Sequence, residues 1–343
     1  MKKILVFILA LMMMIGTIGC SAEQKDNTAE STTAAAQTTA SSETTASGEK
    51  IKIGIVQHVD HPSLNQIRET IISELEAAGM SDKIEIVFEN ANGDASLLPS
   101  IMQSLVNDNV SMIVPIATPT AQAAAAVTTT IPIVFSAVSN PVEAGLVTSF
   151  DAVDGNITGV SNSIAIEDIF ALAAELTPEA KTFGFVYNSS EINSVTGINR
   201  AKVYCDANGI AYKEVTITGT ADLQQAATSL VGEVDAFFTP NDNMVASAMP
   251  VYLQVATDAG LPIYVGADSM VNDGGLATVG IDYTVLGKQT ADMIIRIVNG
   301  EQISENPVEV INQYAKMINF NTANTLGITI PDEIKDDFVI IGE

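Results

Sequence analysis

The chain has no tryptophan, only two cysteines and two histidines, and 15 basic residues against 41 acidic ones. Without tryptophan it lacks the usual aromatic platform for a neutral sugar, so a sugar ligand is disfavoured. Two cysteines cannot brace 343 residues with disulfides, and Cys205, in a helical pattern ending at Gly209, reads as a small buried apolar residue. A formal net charge of −26 argues against nucleic acid and anionic membrane as partners. His58 and His61 flank Asp60 in HVDH, but a structural zinc site wants about four protein ligands and no further cysteine or histidine is at hand. No metal and no cofactor is therefore expected. GxSxG, HExxH and GxxxxGK(S/T) are all missing, so the serines and carboxylates lack a positioned base and an enzyme is not expected.

The apolar run from Ile4 to Ile15 falls short of the roughly 20 residues that a membrane-spanning helix needs. Lys2 and Lys3 precede it and Gly19-Cys20 follow it, the order of a secretory signal. The stretch Thr17-Ile18-Gly19-Cys20 resembles a bacterial lipobox, with Thr17 where an aliphatic residue is usual. Residues 1–20 thus read as a lipoprotein signal peptide and Cys20 as the lipid-bearing mature terminus outside the cytoplasmic membrane. The plainer alternative is an unlipidated protein cleaved near Ala22. Residues 21–49 are almost wholly Ser, Thr, Ala, Glu and Gln, too polar to offset their ordering entropy, and read as a disordered tether.

The remaining body exceeds the size at which one core stops growing, so two domains are expected. From residue 51 short β-rich runs alternate with amphipathic segments, the pattern of a parallel sheet with helices on both faces. IKIGIVQ (51–57), KIEIVFENA (83–91), SMIVPIA (111–117) and IPIVFSAV (131–138) read as strands of one lobe. TFGFVYN (182–188), IAYKEVTI (210–217), VDAFFTP (234–240) and PIYVGAD (262–268) read as strands of another. The tail holds a strong helix, LGKQTADMIIRIVNG, but too little for a third domain. The fold class is α/β, with two doubly wound parallel-sheet lobes joined by a three-crossing hinge. The expected lobes are 51–160 plus 283–304 and 161–282 plus 305–343.

In such sheets ligands bind beyond the carboxyl ends of the strands, where helix N-termini also point. That rule selects Gln57, His58, His61, Ala117, Thr118, Ser136 and Val138 from the first lobe. From the second it selects Asn188, Ser190, Glu191, Asn193, Ser194, Asn241, Asp242, Asn243 and Asp268. The set contains no Lys or Arg, which disfavours a strongly anionic ligand. Glu191, Asp242 and Asp268 suit an amine, and helix starts near Thr118 and Ser190 suit a carboxylate, so an α-amino acid fits. Phe135, Tyr187, Leu64 and Val138 offer an apolar side-chain pocket. Thr118, Ser190 and Asp242 could equally be plain helix caps, and Asn193 and Ser194 plain turn residues.

The segments QHVDHPSLN (57–65), IATPTAQA (116–123), FSAVSNPVEAGLV (135–147), YNSSEINS (187–194), TPNDN (239–243) and DYTVLGKQTADM (282–293) resemble those of ABC-transporter substrate-binding lipoproteins linked to tryptophan and tyrosine uptake. The resemblance spans residues 51–330. It implies a type I periplasmic-binding-protein fold that closes on an aromatic amino acid and docks as a monomer on a membrane permease. It also implies that Thr118, Ser136, Glu191, Asn193, Ser194, Asp242 and Asp268 are polar contacts, with His61 and Leu64 in the wall. Sugar-responsive repressors share this bilobed core, but a signal peptide and polar linker stand here where their DNA-binding helices would be. A sensory protein that presents its ligand to a receptor or kinase is the alternative function.

Overall fold

The computed structural model describes residues 50–153, 155–311 and 313–342; the signal segment, the tether and Cys20 lie outside the described residues. The first lobe opens with β1 (Ile51–Gln57), α1 (Pro62–Ala77), β2 (Ile84–Asn90), α2 (Leu98–Asn107), β3 (Met112–Ile116), α3 (Thr118–Val127), β4 (Ile133–Ser136) and β5 (Ile157–Ser161). The chain then crosses into α4 (Ile166–Leu176), β6 (Thr182–Asn188), α5 (Ile192–Asn208), β7 (Ala211–Ile217), α6 (Leu223–Leu230), β8 (Ala236–Thr239) and α7 (Asn243–Ser247). The same lobe continues through α8 (Met249–Asp258), β9 (Ile263–Val265), α9 (Asp268–Asn272) and β10 (Ala277–Ile281). It returns for α10 (Tyr283–Val298) and β11 (Glu309–Val310), and crosses a last time into β12 (Tyr314–Asn319), α11 (Phe320–Leu326), α12 (Asp332–Lys335) and β13 (Val339–Ile341).

The strands order as β11-β5-β4-β3-β1-β2 in one sheet and β13-β12-β10-β9-β8-β6-β7 in the other. The first sheet is parallel throughout. In the second, β12 runs antiparallel to β10, an addition at the side of a parallel core that the sequence pattern alone does not announce. The sheet pairing also moves a boundary. Glu309 and Val310 pair with Val160 and Ser161, so the first sheet reaches past residue 304 and the last crossing follows Val310.

Helix α1 forms because Leu64, Ile67, Ile71 and Leu75 recur at helical spacing and are all buried, with Pro62 preorganising the first turn. It packs against α10, where a Cβ on Gly287 would lie 2.7 Å from Thr70 Cβ; glycine permits that approach. α10 also covers β4 and β5, which puts it in the first lobe. In the second lobe the core centres on Phe170, whose ring centroid lies 5.0 Å from those of both Phe183 and Phe238. Such pairs each add about 0.5–1.5 kcal/mol beyond area burial, holding α4 on the sheet that carries the site.

Candidate functional site

The carboxyl ends of both sheets face one cleft, and the second-lobe wall carries its charge. Glu191 precedes α5 and is 3% exposed. Its carboxylate accepts from Asn188 Nδ2 at 3.3 Å, Asn193 Nδ2 at 3.1 Å and Asn243 Nδ2 at 2.5 Å. Asp242, with no exposed surface, accepts from the backbone N–H of Asn188 at 2.6 Å and of Val245 at 2.9 Å, so it caps α7 as well. The Ser194 hydroxyl also serves Asp242. Glycines shape this wall. A Cβ on Gly197 would meet Pro240 Cβ at 2.9 Å, and one on Gly266 would meet Asn241 N at 2.8 Å, so α5 and the end of β9 close on the turn that presents Asp242.

Neither carboxylate has a cationic partner among the described residues. Burial, and then the charge of Glu191, pushes Asp242 up to about 7. Burial likewise raises Glu191, against the pull of its three asparagines. Two buried acids sharing one pocket without a cation disfavour each other's ionised form, and a ligand ammonium would relieve both.

The first-lobe wall is neutral. Thr118 begins α3 and is 2% exposed, and its hydroxyl has no partner. It is not the cap of its helix; Ala117 is, in a strained conformation at φ 83° and ψ 158°. Ala137, just past β4, also has a positive φ of 61°. His61 precedes α1 with Nε2 3.4 Å from Asn243 Oδ1 of the other lobe, while its Nδ1 is unpartnered. Burial pushes both His58 and His61 down to about 4, so both rings are neutral at physiological pH. Leu64 is buried beside them on α1.

The lobes touch. Besides His61 with Asn243, Asn241 Nδ2 donates to Ser139 Oγ at 2.8 Å, Thr196 Oγ1 donates to Glu143 Oε2 at 2.5 Å, and Ser63 shares a hydrogen bond with Ser269. Near that last contact Tyr283 is hydrogen-bonded to Ser63 and to Asn162 at the first crossing. Asn162 directly follows β5 and Tyr283 lies just past β10, two strands that are not among the expected ones, while Ser63 and Ser269 sit within the first turns of α1 and α9, so the strand-end selection does not include this hinge cluster. Asn188 and Asn243, selected only as strand-end positions, turn out to hold the carboxylates.

Four expected contacts are occupied or placed differently. Gln57 donates to Val59 O and Asn65 Oδ1, both at 2.8 Å, and accepts from Arg68 at 3.0 Å, so its amide is taken up by the following loop and α1. Ser136 shares its hydroxyl with Thr290 of α10 at 2.8 Å, inside the first lobe. Tyr187 donates to Glu214 of β7 at 3.1 Å, toward the sheet edge. Asp268 does not end a strand; it opens α9 and accepts from Ser269 N at 2.6 Å. Burial holds Asp268 up at about 6. Glu191, Asn193, Ser194 and Asp242 are brought together in one network, and Thr118, His61 and Leu64 stand on the other lobe.

Two α/β lobes linked by three crossings, with polar groups gathered where their strands end, define a bilobed ligand-capturing protein of the type I periplasmic-binding class. The chain belongs to the family of ABC transporter substrate binding proteins, which it matches over residues 52–337. It is 35% identical over 328 residues to the tyrosine-binding protein of Clostridioides difficile, covering 95% of this chain and 92% of that one. Among solved structures, it is similar to a Streptococcus pneumoniae ABC domain in complex with L-Trp, with a TM-score of 0.83 and 35% identity over 85% of this chain and 99% of that one. It is also similar to a ligand-free, open structure of a Clostridium difficile substrate-binding protein with adhesive properties, with a TM-score of 0.66 and 36% identity over 84% of this chain and 98% of that one. A protein of this family works outside the cytoplasmic membrane and has a membrane permease as its partner. Among the described residues no helix is long and apolar enough to cross a membrane.

Proposed function

We propose that the chain captures an α-amino acid with an aromatic side chain, tyrosine or tryptophan in class, and delivers it to its permease without altering it chemically. The observation that carries this reading is a pair of buried carboxylates, Glu191 and Asp242, with no cation among their partners. Beside them Asn193 Oδ1 is a buried acceptor without a donor. An ammonium group supplies both the missing charge and the missing hydrogen. Across the cleft, the unpartnered Thr118 hydroxyl at the start of α3 suits the ligand carboxylate. The relatives named above support the aromatic class. On this reading the protein acts as a monomer tethered through residues 21–49 and lipid on Cys20, and the lobes close as the ligand replaces water between them.

Thermal-shift and calorimetric titration against the amino acids tests the proposal, since a ligand that binds only the native state raises its stability with concentration. Tyrosine, tryptophan or phenylalanine should raise Tm by several degrees. No response to any amino acid would refute the ligand class, and turnover of a bound ligand would refute a purely capturing role.

A further inference from the structure

The amine and carboxylate of an amino acid account for Asn193 Oδ1 and Thr118 Oγ1 but leave the imidazole of His61 unused. Its protonation can be traced through its neighbours. Asn243 Nδ2 donates to Glu191 Oε2 at 2.5 Å, which turns Asn243 Oδ1, an acceptor only, toward His61 Nε2 at 3.4 Å. The ring must therefore carry its hydrogen on Nε2, leaving Nδ1 as a bare lone pair. That atom is buried and has no partner, and the residue is only 5% exposed. Burial keeps the ring from gaining a second proton until about pH 4. A buried acceptor left empty is costly, so the site favours a ligand that brings a donor to it.

We propose that His61 is the residue that selects among aromatic amino acids, with Nδ1 accepting the phenol O–H or indole N–H of the ligand side chain. The proposal rests on the aromatic amino-acid reading above. The relay from Glu191 through Asn243 to His61 runs from the second lobe to the first, so the acceptor is correctly oriented only when the lobes meet. Selection is thereby tied to closure. His58 also has an unpartnered Nδ1, but no comparable relay sets its tautomer.

The test is calorimetric titration of the full chain with L-tyrosine, L-tryptophan and L-phenylalanine. Phenylalanine serves as the probe without a donor. The native chain should bind tyrosine and tryptophan at least about tenfold more tightly than phenylalanine, because a site built for a hydrogen bond rejects the analogue that lacks it. His61→Leu should bring the three affinities together by weakening tyrosine and tryptophan at least about tenfold more than phenylalanine, which shares only the loss of the bond to Asn243 and whose remaining binding shows the variant to be folded. His58→Gln should preserve the preference. Should His61→Leu bind none of the three, His61→Gln decides, because its amide oxygen can accept and should retain part of the preference. An unchanged ratio in His61→Leu, a loss of the ratio in His58→Gln alone, no residual preference in His61→Gln, or a native chain indifferent to the missing donor each overturns the proposal. A native chain that binds none of the three refutes the functional reading itself, and this inference with it.

Discussion

On the second-lobe wall of the cleft, Glu191 and Asp242 accept from three asparagine side chains and two backbone amides. On the first-lobe wall, Thr118 and His61 each keep a polar atom with no partner. The second wall is built in advance: its charges are fixed in direction by a network drawn from one lobe, and it needs only a cation. The first wall is neutral and completes its bonds through what lies between the lobes. On the reading proposed above, the second lobe would supply affinity for an amine-bearing ligand, and the first closure and choice.

The largest test of this division is Glu191→Gln, which keeps the shape and removes the charge. Titration should show every amino-acid ligand weakened alike, by about 2–5 kcal/mol, the usual cost of removing one member of a buried charged pair. Unchanged affinity would mean that the second wall does not receive the amine. A smaller effect is expected of Thr118→Val, about 1.5 kcal/mol of affinity for a lost hydrogen bond to a charged group. Its ligand-free stability should not fall, because the hydroxyl has no partner to lose. Lowered stability with intact affinity would reduce Thr118 to a packing residue.

The smallest effect is in the pH profile of the ligand-free chain. Asp242 and Asp268, held at about 7 and about 6, contribute their full stability only below the ordinary carboxylate range and lose it as pH rises through those values. His58 and His61 behave in the opposite sense: their contribution is complete above their ordinary 6.5 and lost as pH falls toward 4. From pH 6.5 to 8 the two aspartates cost the ligand-free chain about 1 kcal/mol, while the histidines, still half protonated at pH 6.5 in the unfolded chain, return most of it, so these four groups should leave its profile nearly flat. A bound ammonium keeps Asp242 ionised throughout, which removes its share of the loss and should leave a profile that rises by about 0.5 kcal/mol over the same range. Tm measured across that range with and without ligand checks this; parallel profiles would break the distinction between the two walls.

Much of this was legible in the sequence. IKIGIVQ and TFGFVYN are strands over the residues expected, and Glu191, Asn193, Ser194 and Asp242 meet because strand ends in two β/α units of one sheet must. Where a selected side chain is bonded elsewhere, the reason is geometric. A strand covered on both faces sends alternate side chains to opposite sides, so a position at its end does not tell whether the side chain enters the cleft. Ser136 points to α10, a helix about 150 residues later, and Tyr187 to a neighbouring strand. Gln57 is claimed by Asn65 and Arg68 of the following helix. The hinge cluster joins residues as distant as Ser63 and Ser269, which no local pattern pairs.

The position of α10 over β4 and β5 has a consequence for how the protein is made. When β10 has left the ribosome, the second lobe already holds the five parallel strands of its core. The first lobe at that moment has an uncovered sheet face and a Ser136 hydroxyl still awaiting Thr290. Synthesis therefore begins with a lobe whose sheet waits for α10 until the parallel core of the other lobe has emerged, and ends with the strands β12 and β13 of that other lobe.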